Sequence, residues 1–137
     1  MPVISGSCLC GHVRYSGDIS KPIVAQCHCK NCQRHSGGAY SVNVVVDMRC
    51  LTIDKDKLAS YQDSAASGNT IYRYSCKNCH SILISGNQGL TGVGYLKAGS
   101  LDNTQDIKPV VSVWEKSAQP WVCIDEKLAH FDGEFSP

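Results

Sequence analysis

The sequence lacks the features that would direct a chain to a membrane or to nucleic acid. No apolar run approaches the roughly 20 residues needed to span a bilayer, and Met1 to Gly6 has neither the basic start nor the apolar middle of a signal peptide. Lys and Arg number 13 against 12 Asp and Glu, and they are scattered without a run. No electrostatic footprint for nucleic acid or for an anionic membrane surface follows from that spread. These absences predict an intracellular, cytoplasmic protein, a nuclear location not being excluded by them, with no nucleic-acid or membrane partner. Helical periodicity is almost missing too, as are internal repeats and linkers. Residues 1–137 are therefore expected to form one all-β domain with a single core.

Complete disulfide pairing is also excluded, because the chain has nine cysteines. Seven of them fall into three compact groups: Cys8-Leu9-Cys10, Cys27-His28-Cys29-Lys30-Asn31-Cys32, and Cys76-Lys77-Asn78-Cys79. In a reducing compartment such groups point to metal ligation. Residues i and i+2 of an extended backbone project to one face, so each C-x-C is a two-toothed claw. C-x-x-C bends the backbone around an ion, as in zinc knuckles. Zinc takes four ligands, so the arithmetic of seven thiolates allows one closed site and one three-cysteine site with an open position, although spacing alone does not say which claws share an ion. Cys27, Cys29 and Cys32 are near enough in the chain to surround one ion unaided, which leaves Cys8, Cys10, Cys76 and Cys79 for the other. An open position would admit water or an added thiol. A fourth protein ligand, His28, His35 or Cys50, would instead close the site and leave it structural.

Short strands are expected over 11–15, 22–26, 39–46, 70–75, 81–85, 92–96, 110–114 and 121–124, with a hairpin over 51–61 turning at Asp54-Lys55-Asp56-Lys57. Cys76 and Cys79 then sit at a hairpin tip. Asn31 to Ser36 and Asp102 to Ile107 could each hold a turn or two of helix, and Gly133 to Pro137 is expected to fray. Isolated Cys50 and Cys123 read as small core residues. Trp114 and Trp121 also read as core, and Asp102 and Asp125 as turn residues.

Three blocks together resemble the glutathione-dependent formaldehyde-activating family, which includes centromere protein V. They are Gly6-Ser7-Cys8-Leu9-Cys10-Gly11-His12-Val13-Arg14-Tyr15, Cys27 to Cys32 with Gly37, and Arg73-Tyr74-Ser75-Cys76-Lys77-Asn78-Cys79. Gly99-Ser100-Leu101-Asp102 and Pro120-Trp121 with Asp125 extend the likeness. The resemblance implies a β-tent zinc fold with two zinc ions. A structural ion would lie on Cys8, Cys10, Cys76 and Cys79, and a catalytic ion on Cys27, Cys29 and Cys32. It further implies a carbon–sulfur lyase whose co-substrate is glutathione or a similar thiol, and which makes or cleaves an S-hydroxymethyl adduct with formaldehyde or another aldehyde. Arg34, with Gly37 beside it, is the candidate contact for the thiol substrate, and Lys30 and His35 are further cations nearby. Two positions depart from the family pattern: His80 stands where glycine is common, and Gln33 where a basic residue is frequent. The rival reading is a non-enzymatic zinc-binding interaction module with a closed second site.

Overall fold

The computed structural model describes residues 3–19, 22–65, 67–87 and 90–135. Among these, β1 (Val3–Ser7), β2 (Arg14–Asp18) and β5 (Leu51–Ile53) form a three-stranded antiparallel sheet in the order β1-β2-β5. The larger sheet has eight strands: β3 (Ile23–Cys27), β4 (Ser41–Asp47), β6 (Leu58–Ser64), β7 (Thr70–Cys76), β8 (Ile82–Gly86), β9 (Val93–Lys97), β10 (Val111–Val113) and β11 (Ala129–His130). Their order is β11-β10-β3-β4-β9-β8-β7-β6, parallel at β3-β10-β11 and antiparallel elsewhere. One α-helix, α1 (Lys30–Ser36), joins β3 to β4 among the described residues. The expected all-β class with little helix is what the chain adopts. No helix among the described residues is long and apolar enough to cross a membrane.

Register gives the large sheet two unlike faces, because directly opposed residues share a side and successive ones alternate. Val44 faces Val24 and Leu96, and Leu96 faces Ile84. These apolar side chains pack with Val13 just before β2 and with Tyr15 and Leu51 of the small sheet to make the core. On the other face Ser41 opposes Cys27, Asn43 opposes Lys97, and Arg73 opposes Ser85. Ser41, Asn43, Arg73 and Ser85 are all buried, so this side is a polar floor, and α1 packs against β4 beside it.

The Gly99-Ser100-Leu101-Asp102 block fastens the two sheets together. Tyr15 and Ser100 hydroxyls lie 2.6 Å apart, Asp102 N–H donates to the Ser5 carbonyl at 2.9 Å, and Asp102 carboxylate accepts from Ser5 Oγ and Arg14 Nη2. Gly6 bridges to Leu101, and a Cβ there would run into the Tyr15 hydroxyl and the Ser100 carbonyl. Glycine is required by that close approach.

Several expectations are corrected. Residues 51–61 are not a hairpin: β5 pairs with β2 and β6 with β7, because a 3-10 turn at Lys55–Lys57 sends the chain from one sheet to the other. Strand β1 was not foreseen, and β2 runs to Asp18 rather than ending at Tyr15. Residues 121–124 form turn and loop, with Trp121 71% exposed, and 102–107 hold no helix. Cys50 and Cys123 are exposed, not core. The tail is anchored as far as it is described, since the Gly133 carbonyl accepts from Trp114 N–H at 2.8 Å and Phe131 packs edge-on against Phe135. Residues 136–137 lie outside the described residues.

Candidate metal centre

The first cysteine group forms where two distant turns meet. Cys8 follows β1, and Cys10 lies in the turn before β2. Cys76 ends β7 and Cys79 occupies the turn into β8, so the hairpin-tip expectation holds. The four Sγ atoms lie within 4.8 Å of one another, with Cys8–Cys10 at 3.6 Å and Cys10–Cys76 at 3.9 Å. Tetrahedral zinc with Zn–S bonds of about 2.3 Å would hold its sulfurs roughly 3.8 Å apart, whereas a disulfide needs about 2.05 Å. The donor set therefore fits zinc.

Its surroundings fit a thiolate site as well. Val13 N–H donates to Cys8 Sγ at 3.2 Å, Asn78 and Cys79 N–H donate to Cys76 Sγ at 3.3 and 3.4 Å, and Asn78 Nδ2 donates to Cys10 Sγ at 3.3 Å. Such donors spread the negative charge that bound thiolates carry and fix their orientation. The Ser81 hydroxyl and backbone hold the Cys79 thiol down at about 5, while burial pushes Cys76 up. His80, where the turn closes, has φ +64 and donates its N–H to the Cys76 carbonyl at 2.9 Å. This left-handed turn explains why glycine suits the position.

The second group is built locally. Cys27 ends β3, Cys29 is the N-cap of α1, and Cys32 lies in its first turn. Cys29 Sγ accepts from Cys32 N–H at 3.2 Å, and the three sulfurs again lie within 4.8 Å of one another. Hydrogen bonds from Cys27 and Cys29 hold the Cys32 thiol down at about 2. Cys27, which serves Cys29 and Cys32 in turn and is buried, is pushed up. Three sulfurs so close can all ionise only if a cation joins them, which is the chemistry of a metal site.

The candidate fourth ligands do not join this group. Among the described residues, no histidine nitrogen, carboxylate or further thiol lies within reach of all three sulfurs. The His28 ring is fully buried and packs on Tyr40 with centroids 5.0 Å apart. Cys50 sits in the 3-10 turn before β5.

Around α1 the expected anion contacts sort themselves. Arg34 and Lys30 are exposed. Gly37, at φ +72, ends the helix and donates its N–H to the Gln33 carbonyl at 2.9 Å. His35 is turned inward; burial first, then Arg73 and Lys97, bring its pKa down to about 4, so it is neutral at pH 7. Gln33 is buried and fully engaged. Its Nε2 donates to the His28 and Ser117 carbonyls at 2.6 and 2.9 Å, and its Oε1 accepts from Gln119 Nε2 at 2.7 Å. It bolts α1 to the segment after β10, so the missing base at this position leaves a clamp and not a gap.

One group that sequence reasoning missed is Lys97. Its half-buried ammonium donates to Asn43 Oδ1 at 2.8 Å, Asn43 Nδ2 donates to Ser41 Oγ at 3.1 Å, and Ser41 pairs with Cys27 across β3 and β4. Two hydrogen bonds thus run along the polar floor to the residue opposite Cys27. Burial lowers the Lys97 pKa, and the Cys32, Cys27 and Cys29 sulfurs oppose that shift. Lys97 also lines a cleft of about 440 Å³ with Ser36, Tyr40, Ser41, Ile82 and Gly99. Its signal in the sequence was a lone lysine closing an apolar strand, which means nothing until register places it opposite Asn43.

Comparison with known proteins bears on the family and the fold. The sequence model of a family described as "Glutathione-dependent formaldehyde-activating enzyme" matches residues 3–117, so the block at Pro120-Trp121 lies beyond the match. A solved Rhodobacter sphaeroides protein has the same fold, with a TM-score of 0.60 over 80% of this chain and 99% of that one, at 16% identity. No curated protein matches.

Proposed function

The chain belongs to the glutathione-dependent formaldehyde-activating family, and from that membership we propose that it joins a glutathione-like thiol to formaldehyde or a related aldehyde, and reverses the same reaction. The observation that carries this reading is the three-sulfur group at the start of α1 with no fourth protein ligand among the described residues. Cys27, Cys29 and Cys32 would hold the catalytic zinc, and Cys8, Cys10, Cys76 and Cys79 the structural one. Bound at the three-cysteine site, zinc supplies a Lewis-acidic position that favours the thiolate form of an added thiol.

The chain's own residues set the geometry. Helix capping by Cys29 and the Gln33 clamp fix two of the three sulfurs on one rigid turn. The cleft lined by Ser36 of α1 and by Ser41, the residue opposite Cys27, is the proposed entry for a small aldehyde. In the reaction the thiol sulfur bonds to the aldehyde carbon, the C=O π pair moves onto oxygen, and that oxygen takes the proton the thiol has lost. Nothing is oxidised, so the reverse step is a carbon–sulfur bond cleavage. Arg34, exposed at the last turn of α1, is the proposed contact for a glutathione carboxylate, with Gly37 setting where that turn ends.

Exchange NMR of glutathione with ¹³C-formaldehyde tests this directly. Zinc-loaded protein should speed S-hydroxymethylglutathione exchange well above the uncatalysed rate, and Cys29→Ser should return it to background. An unaltered rate with two zinc ions bound would favour the interaction-module reading.

A further inference from the structure

The polar floor of the large sheet contains a cation that the proposed chemistry has not used. Among the described residues, Arg73 is spent on Asp63, Arg14 on Asp102 and Arg49 on Asp47, each within 3.1 Å. Lys97 has no carboxylate partner among the described ion pairs. Among the described hydrogen bonds its acceptor is the neutral Asn43 amide at 2.8 Å, and it lines a cleft with Ser41, the residue paired with Cys27 across β3 and β4. The cluster sulfurs are its electrostatic partners, and with no carboxylate paired to it the ammonium keeps donors for an anion that enters the cleft. Lys97 opposes Asn43, and Ser41, two residues along β4, opposes Cys27, so register puts the ammonium's residue and this cluster cysteine on one face of the sheet.

We propose that Lys97 is the anion receptor of the three-cysteine site: pinned by Asn43 in the cleft lined by Tyr40, Ser41 and Gly99, it binds an anionic oxygen of the molecule whose sulfur occupies the cluster. This rests on the thiol–aldehyde reading above and adds a residue to it. Two oxygens have the required chemistry. One is a carboxylate of the thiol substrate; the other is the alkoxide created when the sulfur–carbon bond forms and the C=O pair moves to oxygen. In the second case Lys97 touches the reacting atoms and is a catalytic residue.

The test uses zinc-loaded full-length protein as wild type, Lys97→Met and Lys97→Arg, with calorimetric titration of glutathione and of 2-mercaptoethanol, the exchange NMR above, and zinc per chain. If the anion is a carboxylate, Lys97→Met weakens glutathione binding about 10–100-fold, the range of one charge-assisted hydrogen bond, and spares 2-mercaptoethanol. If it is the alkoxide, both thiols bind as before and exchange slows about 10²–10³-fold. Lys97→Arg recovers part of either loss. Wild-type binding and exchange in Lys97→Met overturn the proposal. So does a loss that tracks only a fall in bound zinc, because Lys97 would then merely balance the charge of the cluster. A wild-type protein that binds neither thiol overturns the thiol–aldehyde reading itself, and is distinguished by failing before any variant is compared.

Discussion

The two cysteine groups should differ sharply in what they contribute to stability, and Cys76→Ser against Cys29→Ser measures the difference. Cys10 and Cys76 are 66 residues apart, so an ion on the first group closes most of the chain's first half into a loop. Cys27 and Cys32 close only a five-residue segment. The loop-closure term, (3/2)RT ln n, favours the long staple over the short one by about 2 kcal/mol. Cys76 is also fully buried, so a serine hydroxyl left there without the ion's charge adds roughly 1 kcal/mol. A gap of about 3 kcal/mol corresponds to about 10 °C in Tm for a chain of this size. Scanning calorimetry on both variants, with zinc counted per chain, supplies the answer. Cys76→Ser should melt about 10 °C below Cys29→Ser, and Cys29→Ser should keep one ion. Equal melting temperatures, or a lower one for Cys29→Ser, would refute the assignment of a structural role to the first group.

Three further outcomes follow from named contacts. Gln33→Leu leaves the His28 and Ser117 carbonyls and the Gln119 amide without their partner, and should cost about 2–3 kcal/mol in urea unfolding. At the left-handed His80, glycine should match or slightly exceed histidine in Tm while His80→Val lowers it by several degrees, since β-branched side chains fit that conformation worst. The Glu115 hydrogen bond raises the His130 pKa above its ordinary 6.5. The folded form therefore holds that proton more tightly than the unfolded one. The pair's stabilisation is complete below about pH 6.5 and fades as pH rises through the raised folded value. The Tm deficit of Glu115→Gln should accordingly be larger at pH 6 than at pH 9, and a pH-independent deficit would count against the pairing.

The cysteine groups were legible because their logic is local. A two-residue period in extended chain and a knuckle at C-x-x-C fix which sulfurs converge, whatever the rest of the fold does. Strand partnership is not local. The run 51–61 has the composition of a hairpin, yet its halves serve different sheets, because β5 finds a place beside β2 and β6 beside β7. β1 escaped notice because Ser5, Gly6 and Ser7 carry little strand propensity; its pairing with β2 and the close approach at Gly6 hold it. Hydrophobicity misassigned Trp121 and Cys50, which lie exposed in a turn and a 3-10 turn outside the strands that build the core. Lys97 became meaningful only through its register with Asn43.

The distance between the halves of the first cysteine group also has a clock attached. A ribosome adding about 5–20 residues per second needs roughly 3–13 s to pass from Cys10 to Cys76. Throughout that interval the nascent Cys8–Cys10 claw stands incomplete and open to oxidants, whereas Cys27, Cys29 and Cys32 emerge almost together. The second cluster can thus be assembled while the first is still waiting for its other half.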